Sequence, residues 1–432
     1  FEDRTVEADL QIPLPPRIDD ITIPFRGGIS AGDLNHDGYL DLFVTMWNGK
    51  SQLLYNNRDG TFTDATATAN VNTALHYGHQ PALFDFDGDG LLDIYLAVDF
   101  LWNALYLNNG DQTFTDHAAE VRLDNAMNDM GMALGDIDND GDFDIYITNI
   151  FQPFQYNVLY RNDSVPGRMS FTEIAQASGA DYGGWGWGAT FLDADNDGRL
   201  DIAATNGWET PTFQFDKSVF YHNRLGRQIK FDDVSASVGF NDNEWGSGLI
   251  ALDVDRDGDL DLMQTCNNGP LRLLINHQSR LADRRNHLTV KPRMKGNNHF
   301  AIGAVVRIET EELTTVRLIH AGTSFMSQEP AEAVFGLGKQ TSVKRLQITW
   351  PDGSRSEYVD VPANQVLVVE HAGDGDLDAD NDIDHHDFRR MTQCVNTIDS
   401  PTQCRPADLN HDHATDLKDI VHFQNRMQIQ TP

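Results

Sequence analysis

The residues best able to do chemistry lie in five short acidic loops that share one pattern of carboxylates. The loops begin at Asp33, Asp85, Asp136, Asp193 and Asp253, and each fits D-x-[DN]-x-D-G-x-x-D. Because alternate positions of a tight loop point inward, the side chains at positions 1, 3, 5 and 9 can converge on one centre. Such oxygen ligands suit Ca²⁺ better than Mg²⁺, and the lack of Cys or His at these positions argues against zinc. We therefore expect each loop to bind calcium, with the glycine at position 6 supplying the turn.

The predicted calcium ligands are the side chains at these four positions of every loop. They are Asp33, Asn35, Asp37, Asp41, Asp85, Asp87, Asp89, Asp93, Asp136, Asp138, Asp140, Asp144, Asp193, Asp195, Asp197, Asp201, Asp253, Asp255, Asp257 and Asp261. The alternative is a set of acidic surface turns that bind no metal, but five copies in register favour calcium. Without a cation, the carboxylates of each loop would repel one another at short range.

A second marker, a phenylalanine followed by Thr-Asp or a close variant, recurs with the loops and defines a repeat of about 55 residues. In four copies its phenylalanine lies 22 or 23 residues before the first aspartate of the next loop. Each repeat reads as four short strands, which is typical of a β-propeller blade. The chain opens on this marker at Phe1, and its last repeat lacks one. We therefore predict a mostly β chain with a five-bladed β-propeller over residues 1–283, closed by the N-terminal strand; a larger propeller trimmed at its N-terminus is the alternative.

Two features of these repeats resemble a known family. Acidic hairpins of this kind after an apolar strand resemble the FG-GAP/VCBS repeats of integrin-α-like propellers. The sequences Gly186-Trp187-Gly188-Ala189 before a loop and Leu107-Asn108-Asn109-Gly110 after one are similar to the bacterial members related to cartilage acidic protein. The resemblance covers about two-thirds of the chain and implies a calcium-binding propeller.

Residues 284–371 lack acidic loops and instead alternate polar and apolar residues, which predicts a small β-sandwich. Segments such as Ala301-Ile302-Gly303-Ala304 and Ile348-Thr349-Trp350-Pro351-Asp352-Gly353 resemble the ASPIC/UnbV domain. No catalytic constellation is visible in this part of the sequence. Ser324, His320 and Asp352 are interpreted as ordinary strand and turn residues.

Residues 372–432 bring back acidic loops in EF-hand spacing, which predicts two more calcium sites. Their ligands would be Asp376, Asp378, Asp380, Asp382, Asp387, Asp408, Asn410, Asp412 and Asp419. Two such loops, each followed by an apolar helical face, resemble a type I dockerin, a small α-helical domain of paired EF-hand-like loops. The resemblance implies a cohesin-like partner; docking on the same chain or on a neighbouring subunit is the alternative.

Three cysteines are present. Cys394 and Cys404 lie between the two tail loops and are expected to form a disulfide, whereas Cys266 is expected to be a buried structural thiol.

Aromatic side chains recur at the strand ends away from the acidic loops, and we expect that face to bind a partner. The candidate ligand-binding residues are Trp187, His76, His79, Arg26, Trp47, Trp102 and Trp208. They would stack on sugar rings or grip a peptide. For the periodic position of Phe25, Tyr77, Trp185 and Trp245, we favour a ring that wedges between neighbouring blades, because the position repeats; contact with a partner is the alternative.

The net charge of −34 argues against nucleic-acid binding, and no apolar run reaches the length of a membrane span. The chain begins at Phe1, as a mature or trimmed product would. Weak calcium loops need millimolar calcium, so we expect a secreted, extracellular or cell-surface protein of bacterial origin. The favoured function is a non-enzymatic binding or adhesion protein that contacts a glycan or protein and attaches through its tail. A subunit of an extracellular layer or filament and an extracellular polysaccharide-active enzyme are the alternatives.

Overall fold

The computed structural model describes residues 25–47, 49–71, 77–152, 155–224, 228–371, 389–390, 397–398 and 414–415. Several predictions concern residues outside this part of the chain: the strand at Phe1, His76, the Cys394–Cys404 disulfide and the ligands of the two tail loops. For Arg26 and Trp47 only the backbone is described. The predictions for all of these residues are therefore neither confirmed nor contradicted by the structure.

Five antiparallel sheets follow one another along residues 25–274, each made of strands consecutive in sequence. Sheet 1 contains β1 (Phe25–Gly32), β2 (Asp41–Trp47), β3 (Gln52–Asn56) and β4 (Phe62–Asp64); sheet 2 contains β5 (Tyr77–Phe84), β6 (Asp93–Asp99), β7 (Ala104–Asn108) and β8 (Phe114–Asp116). Sheet 3 contains β9 (Met132–Gly135), β10 (Asp144–Ile147), β11 (Val158–Asn162) and β12 (Phe171–Glu173); sheet 4 contains β13 (Gly186–Leu192), β14 (Asp201–Asn206), β15 (Val219–Arg224) and β16 (Lys230–Asp233). Sheet 5 contains β17 (Gly246–Leu252), β18 (Asp261–Cys266) and β19 (Arg272–Leu274).

The strand that carries the Phe-Thr-Asp marker or its variant is the fourth strand of each complete sheet, as the repeat predicts. Helices of four residues follow three of these strands: α1 (Ala118–Val121), α2 (Ala175–Ser178) and α3 (Ser235–Val238). Sheet 5 has three strands within the described residues, so the place beside β19 is the one that the Phe1 strand is predicted to fill. Whether the ring has five blades stays a prediction.

Apolar side chains fill the space between each sheet and the next, which makes the arrangement propeller-like. Tyr95 of sheet 2 and Ile145 of sheet 3 share one core, and Tyr146 of sheet 3 and Ile202 of sheet 4 share the next. Equivalent cores join sheets 1 and 2 and sheets 4 and 5. Because strand side chains alternate between faces, Ile145 packs against sheet 2 and Tyr146 packs against sheet 4.

A second β unit follows, with two sheets around one core. The first sheet pairs β20 (Asn286–Arg293) with β23 (Ala333–Gly338) and, in parallel, with β26 (Gln365–Glu370). The second has the order β22 (Thr314–Leu318), β21 (Val305–Glu309), β24 (Ser342–Thr349) and β25 (Arg355–Pro362). Leu288, Phe335, Ile348 and Trp350 lie in the core between the sheets. This arrangement agrees with the predicted sandwich.

The segment between β22 and β23, residues 319–332 and here named the central loop, lies against the first strands of the five propeller sheets. Ser324 exchanges two backbone hydrogen bonds with Met132 of β9, at 2.9 and 3.0 Å. The backbone N–H of Met326 donates to Gln80 Oε1 of β5 at 3.1 Å. A β-carbon on Gly322 would lie only 2.9 Å from the carbonyl oxygen of Ile29 in β1.

One carboxylate of the central loop contacts both sheet 4 and sheet 5. Glu329 accepts hydrogen bonds from Thr190 Oγ1 of β13 and from the backbone N–H of Ala251 in β17. The central loop therefore fills the space where the first strands converge. No sequence pattern predicted this.

The tail is described at three short places only. Residues 389–390 are helical, and β27 (Thr397–Ile398) pairs antiparallel with β28 (Ala414–Thr415). Among the described residues, the structure contains no helix long and apolar enough to cross a membrane.

Candidate functional site

The loop from Asp193 to Asp201 shows how each acidic hairpin is built. Asp193 accepts hydrogen bonds from the backbone N–H groups of Asp197 at 2.9 Å and Gly198 at 2.8 Å, so it closes the turn. Asp201 accepts from the N–H of Asn223 in β15 at 2.8 Å. The last predicted ligand of the loop is thereby fixed to the third strand of its own sheet.

Two positions of every loop have positive φ angles. One is the glycine at position 6, as predicted; Gly198, for example, has φ of 90°. The other is position 4, occupied by His36, Gly88, Asn139, Asn196 and Arg256, with φ between 56° and 78°. The positive φ at position 4 was not predicted, although Asn and Gly, which tolerate this region well, occupy three of the five copies.

In four loops, three aspartates bring carboxylate oxygens within 4.8 Å of one another. The clusters are Asp85, Asp87 and Asp93; Asp136, Asp138 and Asp144; Asp193, Asp195 and Asp197; and Asp253, Asp255 and Asp261. In the remaining propeller loop an amide, Asn35, replaces one carboxylate. Each of these clusters could bind a metal ion.

The electrostatics of the loops fit a cation. Burial and the neighbouring carboxylates raise the pKa of Asp193 to about 8 despite the attraction of Arg317. The same two causes raise the pKa of Asp136 and of Asp41 to about 7. Asp195 Oδ1, like Oδ1 of Asp138 and of Asp253, is buried without a hydrogen-bond partner. Buried oxygen atoms of like charge suit a hard divalent ion.

The second β unit packs directly on these loops. The backbone N–H of Gly336 donates to Asp193 Oδ2 at 3.0 Å, and that of Gly338 donates to the carbonyl of Asn196 at 2.8 Å. Arg285 Nη1 lies 2.7 Å from Asp195 Oδ2. The loop end of the propeller therefore serves as the contact surface for the second unit.

A cavity of about 80 Å³ lies beneath this contact, between the central loop and sheets 3 to 5. Asp193, Arg317, His320 and Glu329 are among its lining residues. Burial raises the pKa of Glu329 to about 7 and lowers that of His320 to about 4. Glu329 is engaged by Thr190 and Ala251, so its carboxylate holds the central loop in place.

The opposite ends of the strands carry the aromatic face, defined here as Phe100, Trp102, Phe151, Tyr182, Trp185, Trp187, Trp208, Phe213, Phe215 and Trp245. The pairing of β5 with β6 shows which end this is. Phe84 pairs with Asp93 beside the acidic loop, and Tyr77 pairs with Asp99 at the end that carries the aromatic face. Its most exposed rings are Phe215 at 69%, Trp102 at 63% and Phe100 at 57%.

Trp185, Trp187 and Trp208 form a contiguous cluster within this face. The Trp185 ring is stacked on Trp208 with centroids 5.6 Å apart, and Trp187 contacts Trp208 at 5.1 Å. Trp245 lies just before β17, and its ring centroid is 6.5 Å from that of Trp208, just after β14, so aromatic contact also joins neighbouring repeats. Phe325 of the central loop reaches this cluster and lies 5.0 Å from the Trp187 ring.

The candidate ligand-binding residues differ in exposure. Trp102 is exposed and Trp208 is half-buried, so both can contact a partner. Trp187 is only 9% exposed, and its Nε1–H donates to the Gly207 carbonyl at 2.9 Å. His79 is buried against Phe325. Trp187 and His79 therefore lie beneath the surface in this structure.

Ser354, His371 and Asp352 lie together in the second unit, and these residue types also form nucleophilic triads. His371 Nε2 lies 2.8 Å from Ser354 Oγ and 3.3 Å from Asp352 Oδ2. A nucleophilic triad places Ser and Asp on opposite ring nitrogens, whereas here both face Nε2. This cluster therefore joins the end of β26 to the β24–β25 turn. Ser324 is fully buried and pairs with Met132 through its backbone.

The expectation for Cys266 needs one correction. It is a free thiol, but it is partly exposed rather than buried. It is the last residue of β18 and lies near Glu244. Partial burial of its sulfur, together with the Glu244 carboxylate, raises the pKa of Cys266 to about 12. It is therefore a poorly reactive thiol.

Comparison with known proteins agrees with the two units. Residues 33–96 and 85–147 match the FG-GAP-like repeat, and residues 294–375 match ASPIC and UnbV. The chain is 27% identical to cartilage acidic protein 1 of Homo sapiens over 335 residues, which is 76% of this chain and 41% of the relative. It is 26% identical to the Mus musculus protein over 361 residues, 81% and 46% of the two chains. The chain thus contains FG-GAP repeats and an ASPIC/UnbV domain, and it spans less than half the length of these relatives.

Similarity to solved structures is weaker. A rhamnogalacturonan lyase of Bacillus licheniformis gives a TM-score of 0.33 at 14% identity, covering 80% of this chain and 72% of the lyase. The SapL1 lectin in complex with alpha methyl fucoside gives 0.33 at 10% identity, covering 78% and 92%.

Proposed function

We propose that this is a secreted, calcium-stabilised binding protein. Its aromatic face contacts a glycan or an extracellular protein, and its tail mediates attachment. The observation that carries the proposal is that the two ends of the propeller strands differ. The ASPIC/UnbV domain covers the end with the acidic loops, whereas exposed aromatic rings occupy the other end. Exposed aromatic clusters of this kind are uncommon on proteins without a partner.

Calcium is the metal proposed for the acidic loops. The convergent carboxylates, the buried oxygen atoms without a partner and the absence of softer ligands support this choice. The proposed ligands are the twenty residues of the five propeller loops, and the two tail loops would add two further sites. Bound calcium would offset the repulsion that raises the pKa values of Asp41, Asp136 and Asp193.

The proposed division into domains is a propeller over residues 1–283, an ASPIC/UnbV domain over 284–371 and a dockerin-like tail over 372–432. Loops of this type bind calcium at concentrations found outside cells, which supports secretion. In this proposal the tail takes a cohesin-like partner or another copy of the chain.

Arrays of glycans and of extracellular proteins, probed with the full chain in about 1 mM calcium, test the binding function. We expect binding that is lost on chelation and weakened by Trp102→Ala. Phe300→Ala is the matched control, because Phe300 is a similarly exposed ring, at 53%, in the ASPIC/UnbV domain. Failure to bind any member of either array would refute the proposal.

A further inference from the structure

The aromatic face has a strong charge bias in the segments that hold its tryptophans. Residues 181–187, 207–217 and 242–245 contain five carboxylates, those of Asp181, Glu209, Asp216, Asp242 and Glu244, and one cation, Lys217. Arg272, which approaches from β19, is already engaged by Asp242 and Glu244. Within a Debye length of about 8 Å, such carboxylates repel an anionic ligand. The charge therefore disfavours polyanions at this face.

The exposed rings of the same region, Phe151, Tyr182 and Phe215, together with Trp208, are here named the platform. Phe215 is 69% exposed, and Tyr182 and Phe151 are 49% and 42% exposed. Phe151 and Tyr182 contact each other edge to face, with centroids 5.1 Å apart. Trp208 is half-buried and stacks on Trp185, which fixes the orientation of its ring. Aromatic surfaces of this kind pack well against the C–H face of a sugar ring.

Polar groups beside the platform match a hydroxylated ligand. Asp216 accepts a hydrogen bond from the backbone N–H of Trp185 at 3.0 Å, which fixes its carboxylate beside the tryptophans. Trp185 Nε1 and Thr210 Oγ1 are buried and have no hydrogen-bond partner. A few fixed polar groups among apolar rings are what orient a small ligand in a binding site.

The centre of this region belongs to the ASPIC/UnbV domain. Phe325 of the central loop contacts Trp187, and the next residue, Met326, is 43% exposed. Ser324 and Met326 both have positive φ angles, 60° and 50°, held by their backbone contacts with Met132 and Gln80. Strained backbone of this kind is often found at functional sites.

We propose that the ligand of the aromatic face is a glycan without anionic groups. Its sugar rings lie on Phe215, Tyr182 and Trp208, and its hydroxyl groups hydrogen bond to Asp216. Met326 closes the centre of the site, so the propeller and the ASPIC/UnbV domain build it together. This inference rests on the proposed binding function and adds the class of ligand to it.

Affinity electrophoresis of the calcium-loaded full chain tests this, with a neutral glucan, a neutral galactomannan, polygalacturonate and a sulfated galactan as probes. We expect retardation by a neutral polysaccharide that is insensitive to added salt, and none by the two anionic polymers. Phe215→Ala should weaken this binding about tenfold, Met326→Ala should weaken it several-fold, and Phe300→Ala should leave it unchanged. The doubly substituted Glu209→Lys, Asp216→Lys protein should gain binding to polygalacturonate.

Preferential, salt-sensitive binding of an anionic polymer would overturn this inference and leave the proposed binding function standing. Binding of extracellular proteins but of no glycan would overturn it in the same way. An unchanged affinity in Met326→Ala, alongside a loss in Phe215→Ala, would remove the ASPIC/UnbV domain from the site. If the chain binds nothing at all, the inference and the proposed function both fail.

Discussion

Glu329 offers a quantitative test of how the central loop is held. Its carboxylate is buried beside the cavity and accepts hydrogen bonds from Thr190 Oγ1 and the Ala251 N–H. Burial raises its pKa from the ordinary value of 4.5 to about 7, opposed by those hydrogen bonds. A difference of this size corresponds to about 3 kcal/mol between the two protonation states.

The sign of the pH dependence follows from the direction of the shift. Because the pKa of Glu329 is higher in the folded protein than in the unfolded chain, its contribution to stability is fully present below about pH 4.5. That contribution is lost as the pH rises through 7. Glu329→Gln keeps the shape and a hydrogen-bond acceptor but cannot ionise. We therefore expect the free energy of unfolding of the glutamine variant, relative to the wild type, to increase by about 3 kcal/mol between pH 4.5 and 8.

Urea unfolding at saturating calcium, over a series of pH values, measures this difference. The acidic loops titrate equally in both proteins, so their contribution cancels when the two are compared. The wild type and the glutamine variant also share the other ionisable residues around the cavity, which are Asp193, Arg317, His320 and Glu332. A difference that stays constant from pH 4.5 to 8 would refute the reasoning, because it would mean that Glu329 keeps its ordinary pKa when folded.

Three further outcomes are expected. Chelation should lower the melting temperature by more than about 10 °C, since several sites are coupled to folding, and an unchanged melt in calorimetry would contradict the calcium assignment. Gly336→Ala should destabilise the chain by about 1–3 kcal/mol in urea unfolding, because the new β-carbon would overlap Asp193 Oδ2 and the backbone of Asn196, and an unchanged free energy of unfolding would contradict this contact. Asn223→Ala should cost about 1–3 kcal/mol, because its side-chain N–H groups bind the buried carbonyls of Ile137 and Leu200, and a change below about 0.5 kcal/mol would argue against that account.

Local signals in the sequence explain what could be predicted. The acidic loops, their glycines and the strands on either side are set by residues within one repeat, and the structure has these elements where the pattern indicates. The four-stranded sheets follow from the same repeat. The strands of the ASPIC/UnbV domain have period-two alternation, which is also a local signal.

The central loop could not be predicted because its conformation depends on distant residues. Nothing in the pattern of residues 319–332 indicates contact with β1, β5, β9, β13 and β17. Exposure within the aromatic face was also beyond the sequence: Trp102 is 63% exposed, whereas Trp187 is only 9% exposed and contacts Phe325. Such differences depend on tertiary packing rather than on propensity.

The central loop has a consequence for the order in which the chain can fold. Met326 hydrogen bonds to Gln80, 246 residues earlier in the chain. During synthesis, all five sheets therefore leave the ribosome before the segment that fills the space between them. Until then the first strands lack the hydrogen bonds that the central loop makes with Gln80, Met132, Thr190 and Ala251. A chain that ended at residue 283 would lack these contacts, so we expect it to be less stable than the full chain.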